Sequence, residues 1–107
     1  MRLSAEHKIA LTVGDETVTF TLRKPTNREL NDFLSDRFEF GRKGRMKDRT
    51  LEARCNFFDT LLIAVENLEG TDGTPIAGPD RKDEIPPNWK AAAIFKEFED
   101  IEINEKN

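Results

Sequence analysis

Acid–base, nucleophilic and metal chemistry have little to draw on in this chain. Among 107 residues there is one histidine, His7, and one cysteine, Cys55. His7 stands in the N-terminal arm with no acidic or nucleophilic residue spaced around it, and reads as a surface residue leading into a strand. Cys55 has no mate for an intrachain disulfide and no CxxC pattern, and with a single His it cannot supply a zinc cluster. It sits on an apolar helical stripe and reads as a small buried hydrophobe, not a reactive thiol. Carboxylates recur at Asp72, Asp80, Asp83 and Glu84, without the one-three-five spacing and terminal Glu of a calcium loop. A second set, Glu97, Glu99, Asp100 and Glu102, reads as the solvated acidic end of a helix. Gly41 to Lys47 is not a Walker A loop, because Lys and then Ser or Thr do not follow its second glycine. The residues point to a protein that is not an enzyme, with no cofactor and no metal.

Two features suit binding instead. Between Arg42 and Arg49 lie five basic residues, Arg42, Lys43, Arg45, Lys47 and Arg49, opposed by Asp48. Such a loop could meet phosphates or an acidic partner, including the acidic tail of another copy of the chain. The overall charge of −4 argues against nonspecific nucleic-acid binding by the whole surface, and aromatic stacking residues or a recognition helix are not evident. The second feature is aromatic. There are eight Phe, one Trp and no Tyr, and Phe40 and Trp89 are the two whose spacing does not demand burial. Phe40, Arg42, Lys43, Arg45 and Trp89 are therefore the candidate partner-binding residues.

The elements that must position these residues follow from periodicity. The length suits one domain with a modest core. Charged residues equal hydrophobic ones at 36 % each, so either the surface is densely charged or part of the chain is disordered. Residues 8–23 read as a β-hairpin: Ile9, Leu11 and Val13 alternate, as do Val18, Phe20 and Leu22, around Gly14-Asp15-Glu16. Thr26-Asn27-Arg28-Glu29 is a capping box that opens a helix over 27–40. A basic loop over 41–47 leads into a long helix over 48–69, capped by Asp48 or Thr50. That helix carries Leu51, Cys55, Phe58, Leu62 and Val65 at spacings of four and three, with Phe57, Leu61 and Leu68 beside them. A Gly/Pro loop over 70–88 follows, then a helix over 88–98 capped by Asn88, then an acidic tail over 99–107. The expected class is α+β and helix-dominated: an N-terminal β-hairpin packed on about three α-helices, the second long and central. The longest apolar run, Leu61 to Val65, is far short of a membrane span, and the N-terminus lacks the apolar run of a secretory signal. A cytoplasmic location without membrane contact is the expectation.

This order of parts resembles the small tail assembly chaperones of tailed bacteriophages and prophages. The resemblance runs from about Thr17 to Phe98. It is carried by Phe20-Thr21-Leu22-Arg23-Lys24-Pro25-Thr26 with Glu29-Leu30, by the apolar central helix, and by Ile85-Pro86 before the last helix. It implies a non-enzymatic protein of the bacterial host cytoplasm that binds the tape-measure protein while tail-tube subunits assemble around it, and that leaves before the virion is finished. In some such families a programmed frameshift yields a longer form. A small nucleic-acid-binding or regulatory module using residues 42–49 is the alternative.

Overall fold

The structure, a computed structural model, describes residues 5–41 and 44–99. The chain folds as an α+β protein built on an N-terminal antiparallel hairpin, β1 (Glu6–Val13) and β2 (Glu16–Arg23). Val13 pairs with Glu16, so the connection is two residues, Gly14-Asp15, one shorter than the sequence suggests. Gly14 takes φ +66° and Asp15 does not take a positive φ, the glycine-first pattern of a type II′ hairpin turn. Alternation then sends Ile9, Val18, Phe20 and Leu22 into the core, while Lys8, Thr12 and Thr17 stay exposed.

The capping box is present. Thr26 Oγ1 accepts from the Glu29 amide at 3.1 Å and Glu29 accepts from the Thr26 amide at 2.9 Å, opening α1 (Asn27–Asp36). The helix expected to reach residue 40 stops at Asp36, where Arg37 caps it and donates from Nε to the Leu34 carbonyl at 3.1 Å. Phe38-Glu39-Phe40 alternates like a strand, and aromatic residues favour extended backbone. It forms β3 (Phe38–Phe40) against β4 (Met46–Asp48). Within the segment 41–47, expected as a plain loop, Met46 and Lys47 belong to this second strand. Residues 42 and 43 lie outside the described residues. Asp48 Oδ1 accepts from the Thr50 amide at 2.8 Å where α2 (Thr50–Leu61) begins.

The main correction concerns the helix expected over 48–69. It ends at Leu61, and the chain passes without a loop into β5 (Leu62–Glu66). β5 pairs antiparallel with β2, giving a three-stranded sheet in the order β1-β2-β5. A hairpin alone is marginal, and a third strand along β2 relieves that weakness. The ladder joins Thr21 to Ala64 and Leu22 to Leu62, leaving Ile63 as the extra residue of a bulge. The bulge allows Leu62 and Val65, three apart, to face the same core, while Ile63 points outward and is exposed.

Helices cover the apolar side of the sheet. Phe58 of α2 meets Phe20 of β2 edge-on, with ring centroids 5.1 Å apart. Phe57, the next residue back, stacks on Phe33 of α1 at 4.4 Å and meets Phe98 at 5.2 Å. Leu51, placed on the buried stripe by its spacing, is 57 % exposed, because the buried face of α2 is the one carrying Ala53, Phe57, Phe58 and Leu61. Cys55, expected in the core, is half-buried at the seam with the last helix, its Sγ 3.5 Å from the Pro87 carbonyl. The final helix is α3 (Pro87–Ile94), with Pro87 rather than Asn88 at its start, where the missing amide costs nothing. A π-helical turn, Phe95–Glu99, completes it. Of the expected acidic tail, only Glu99 lies within the described residues.

The segment over 70–88, expected as a loop, contains a 3-10 helix, Pro79–Glu84, gives its last two residues to α3, and is pinned to the sheet. Ala77 accepts from the Val65 amide and Leu68 from the Ile76 amide, both at 2.9 Å, so this segment covers the outer edge of β5. Ile76 and Ile85 are buried. Because Phe58 is enclosed while Leu51 is not, Phe58→Ala should cost about 3–5 kcal/mol, and Leu51→Ala should stay within about 0.5 kcal/mol. Urea unfolding followed by circular dichroism checks both. Similar losses at the two positions would contradict this assignment of the α2 face.

Candidate functional site

The titratable groups with the greatest chemical interest are engaged with one another. His7, without an acidic neighbour in sequence, meets one in space: Glu97 Oε2 lies 2.7 Å from Nδ1, and Phe98 packs on the ring. Neither of the open grooves on the surface includes this pair. Lys90, only 5 % exposed, donates to Asp59 Oδ1 at 2.7 Å and lies over the Phe58 ring, closing the α2–α3 seam. The Cys55 thiol beside it is pushed up in pKa by burial, against the opposing pull of Lys90. That favours the protonated, unreactive form.

Among the described residues Glu99 is the most enclosed carboxylate, its side chain 5 % exposed. It accepts from Arg54 Nε at 2.6 Å and from Arg37 Nη1 at 2.9 Å. Burial alone would raise its pKa, but the hydrogen bonds from Arg54 and Arg37 outweigh burial and leave it below the ordinary carboxylate value. Arg81 plays the matching part in the Gly/Pro segment. It donates to Glu84 at 2.5 and 2.8 Å, to Asp72 at 3.2 Å, and to the Thr74 hydroxyl. Glu84 and Asp72, in that order, raise its pKa further. Gly70 lies directly under this clamp, where a Cβ would collide with Arg81 Nη2 and stand 2.7 Å from Glu84. The carboxylates Asp72 and Glu84 thus organise a loop. Among the described residues, no group of three or more His, Cys, Asp or Glu is placed to hold a metal ion, and every buried side-chain polar atom has a hydrogen-bond partner.

Two open grooves stand out among the described residues. The first is a groove of about 490 Å³ between α1, α2 and the base of the ribbon. Phe33 and Phe57 form its floor and Phe38 its rim. Its walls carry five carboxylates, Glu29, Asp32, Asp36, Glu39 and Glu52, against the single cation Arg49. Arg49 is held by Glu39 at 3.0 Å and by Glu52, and Glu29 by Arg23 through two bonds of 2.7 and 2.8 Å. Asp32 and Asp36 have no ion-pair partner among the described residues. The ribbon stands beside this groove with Phe40 76 % and Met46 58 % exposed.

The second surface is a groove of about 700 Å³ at the turn end of the sheet. Val13, Val65, Leu68, Ile76 and Trp89 line it, and Glu16 and Glu69 stand at its sides. Asn67 shapes one wall. It takes φ +65° just after β5, and its Nδ2 donates to the Thr17 carbonyl at 2.8 Å. Trp89 is half-buried, packed on the core by one side and open to the groove by the other.

The candidate binding residues therefore divide. Phe40 and Arg45 belong to the ribbon, Trp89 lines the other groove, and Arg42 and Lys43 lie outside the described residues. Spacing alone missed Phe38 and Met46, and the Phe-Glu-Phe alternation was the signal that could have exposed them. Comparisons of the chain with protein-family models, curated proteins and solved structures find no match.

Two carboxyls give the protein a measurable acid response. Hydrogen bonds from Arg23 and from the Thr26 amide lower Glu29 from 4.5 to about 2, and bonds from Thr74 and Arg81 lower Asp72 from 3.8 to about 2. Depressed values mean that the unfolded chain binds these protons first. Their stabilisation is complete above the unfolded values of 4.5 and 3.8 and fades as the pH falls towards about 2. Urea midpoints should drop between about pH 5 and about pH 3, and Glu29→Gln with Asp72→Asn should flatten that drop. An unchanged slope in the double variant would refute it.

Proposed function

We propose that this protein is a non-enzymatic tail assembly chaperone of a tailed phage or prophage, working in the cytoplasm of the bacterial host. Its partner is the tape-measure protein, whose long helix it keeps soluble while tail-tube subunits assemble. The observation that carries this reading is the groove around Trp89: an open trough with Val13, Leu68 and the chain's one tryptophan in its wall and the carboxylates Glu16 and Glu69 among its lining residues. Such a trough suits an amphipathic helix that lays large apolar side chains inward and sets Lys or Arg against Glu16 and Glu69. A half-open Trp is the kind of anchor that dominates binding energy at interfaces. The order of elements from Thr17 to Phe98 supports the same reading through its resemblance to these chaperones.

A nucleic-acid module using residues 42–49 has less behind it. Arg49 is already held by two carboxylates, and the five acidic groups of the adjoining groove oppose a phosphate backbone.

Trp89 is the only indole and there is no Tyr, so its emission reports on this groove alone. Titration with a cognate tape-measure segment should shift that emission saturably, and co-expression should raise the soluble yield of the tape-measure protein. Val13→Glu places a charge on the exposed edge of the groove, and should weaken binding about tenfold or more with little change in thermal unfolding. Unchanged emission together with no gain in solubility would overturn the proposal.

A further inference from the structure

The segment between β5 and α3 is tied to itself more closely than to the rest of the protein. Leu68 to Ile76 folds back as a narrow loop. Ile76 donates to the Leu68 carbonyl and Gly70 to the Thr74 carbonyl, both at 2.9 Å, and Glu69 bridges to Pro75. Gly73 turns its tip with φ +80°, a conformation glycine adopts at no steric cost. Arg81 joins the 3-10 helix Pro79–Glu84 to this loop, reaching Asp72 and Thr74 on the loop and Glu84 on the helix. Among the described residues, every side-chain hydrogen bond made by residues 70–85 ends within that segment.

Its hold on the body is narrow by comparison. The Ala77 carbonyl accepts from the Val65 amide of β5 at 2.9 Å, and Ile76 is buried in the core. Ile85 marks where the chain rejoins the core ahead of α3. Before the segment stands Asn67, whose φ of +65° lies in a region sparsely populated by residues with side chains. Compact surface loops packed by their own side chains are frequently functional, and segments with few ties to the core open separately from it. Here such an opening has a consequence. Leu68, Glu69, Pro75, Ile76 and Ala77 line the groove that Val13 and Trp89 also line, so the width of the groove depends on where this segment sits.

We propose that residues 68–84 form a strap that lifts from the sheet as one body, and that its lifting opens the groove beside Trp89 and the outer edge of β5. Arg81 makes the strap a single body, Ile76 is the plug that holds it down, and Asn67 is the hinge at its start. The strap acts whatever occupies the groove, so its test uses the isolated protein and stands apart from the tail-assembly reading.

Native-state hydrogen exchange should show the amides of Val65, Gly70, Ile76 and Ile85 opening through one shared equilibrium, well ahead of the amides of α2. Ile76→Ala removes the plug, and the strap amides should then exchange about thirtyfold faster or more. The α2 amides and the urea midpoint should stay unchanged in that variant, whereas truncating a residue of the common core would shift them together with the strap. Quenching of Trp89 emission by acrylamide should rise in the same variant. Arg81→Ala should split the strap, so that Gly70 opens more often than Ile85. The proposal is overturned if the strap amides exchange only together with α2, if Ile76→Ala lowers the urea midpoint in step with them, if Trp89 quenching does not change, or if Gly70 and Ile85 still open together without Arg81.

Discussion

Two neighbouring rings, Phe57 and Phe58, hold the structure together by facing different ways. Consecutive residues on a helix project about 100° apart, so the pair gives α2 two buried sides. Phe58 goes to the sheet through Phe20, and Phe57 goes to α1 through Phe33 and to the last turn through Phe98. Phe98 in turn touches His7 on β1. A continuous path of rings therefore runs from α1 through α2 to the strand that opens the fold. Aromatic contacts of this kind add to area burial, and here they also decide where each element sits.

Charges complete what the rings begin. A chain with as many charged as hydrophobic residues cannot enclose all of its seams with apolar groups. It closes them with paired ones: Lys90 with Asp59 between α2 and α3, and Glu99 with Arg37 and Arg54 where the final turn meets the first two helices. Each buried charge has its partner, which is the condition for tolerating it away from water. Arg81 acts likewise in a segment with little regular backbone pairing. Its guanidinium binds side chains from three points of the Gly/Pro segment. Planar forked geometry is what lets one arginine do this, and lysine could not.

With its polar groups so occupied, the protein offers surfaces. They differ in character. The Trp89 groove sets Val13, Leu68 and Trp89 beside Glu16 and Glu69. The ribbon exposes Phe38, Phe40 and Met46 beside a groove rich in carboxylates.

The local features were legible in the sequence because their causes are local. The hairpin follows from alternation around Gly14, the capping box from Thr26 and Glu29, and the exposure of Phe40 from its place beside a charged segment. Tertiary structure decided the rest. The run from Leu62 to Glu66 reads as helix because Leu62 and Val65 are three apart, the spacing of one helical face. In the fold that same spacing belongs to a strand, where a bulge at Ile63 returns both residues to one side. Sequence period cannot separate these cases for so short an apolar run. The open edge of β2 separates them, since an unsatisfied hairpin gains most from a third strand. The same holds for His7 and Glu97, ninety residues apart, and for Trp89 and Val13 in one groove. The residue types announce a small α+β protein. Which residues stand together depends on pairings between distant segments, and those exist only once the sheet has closed.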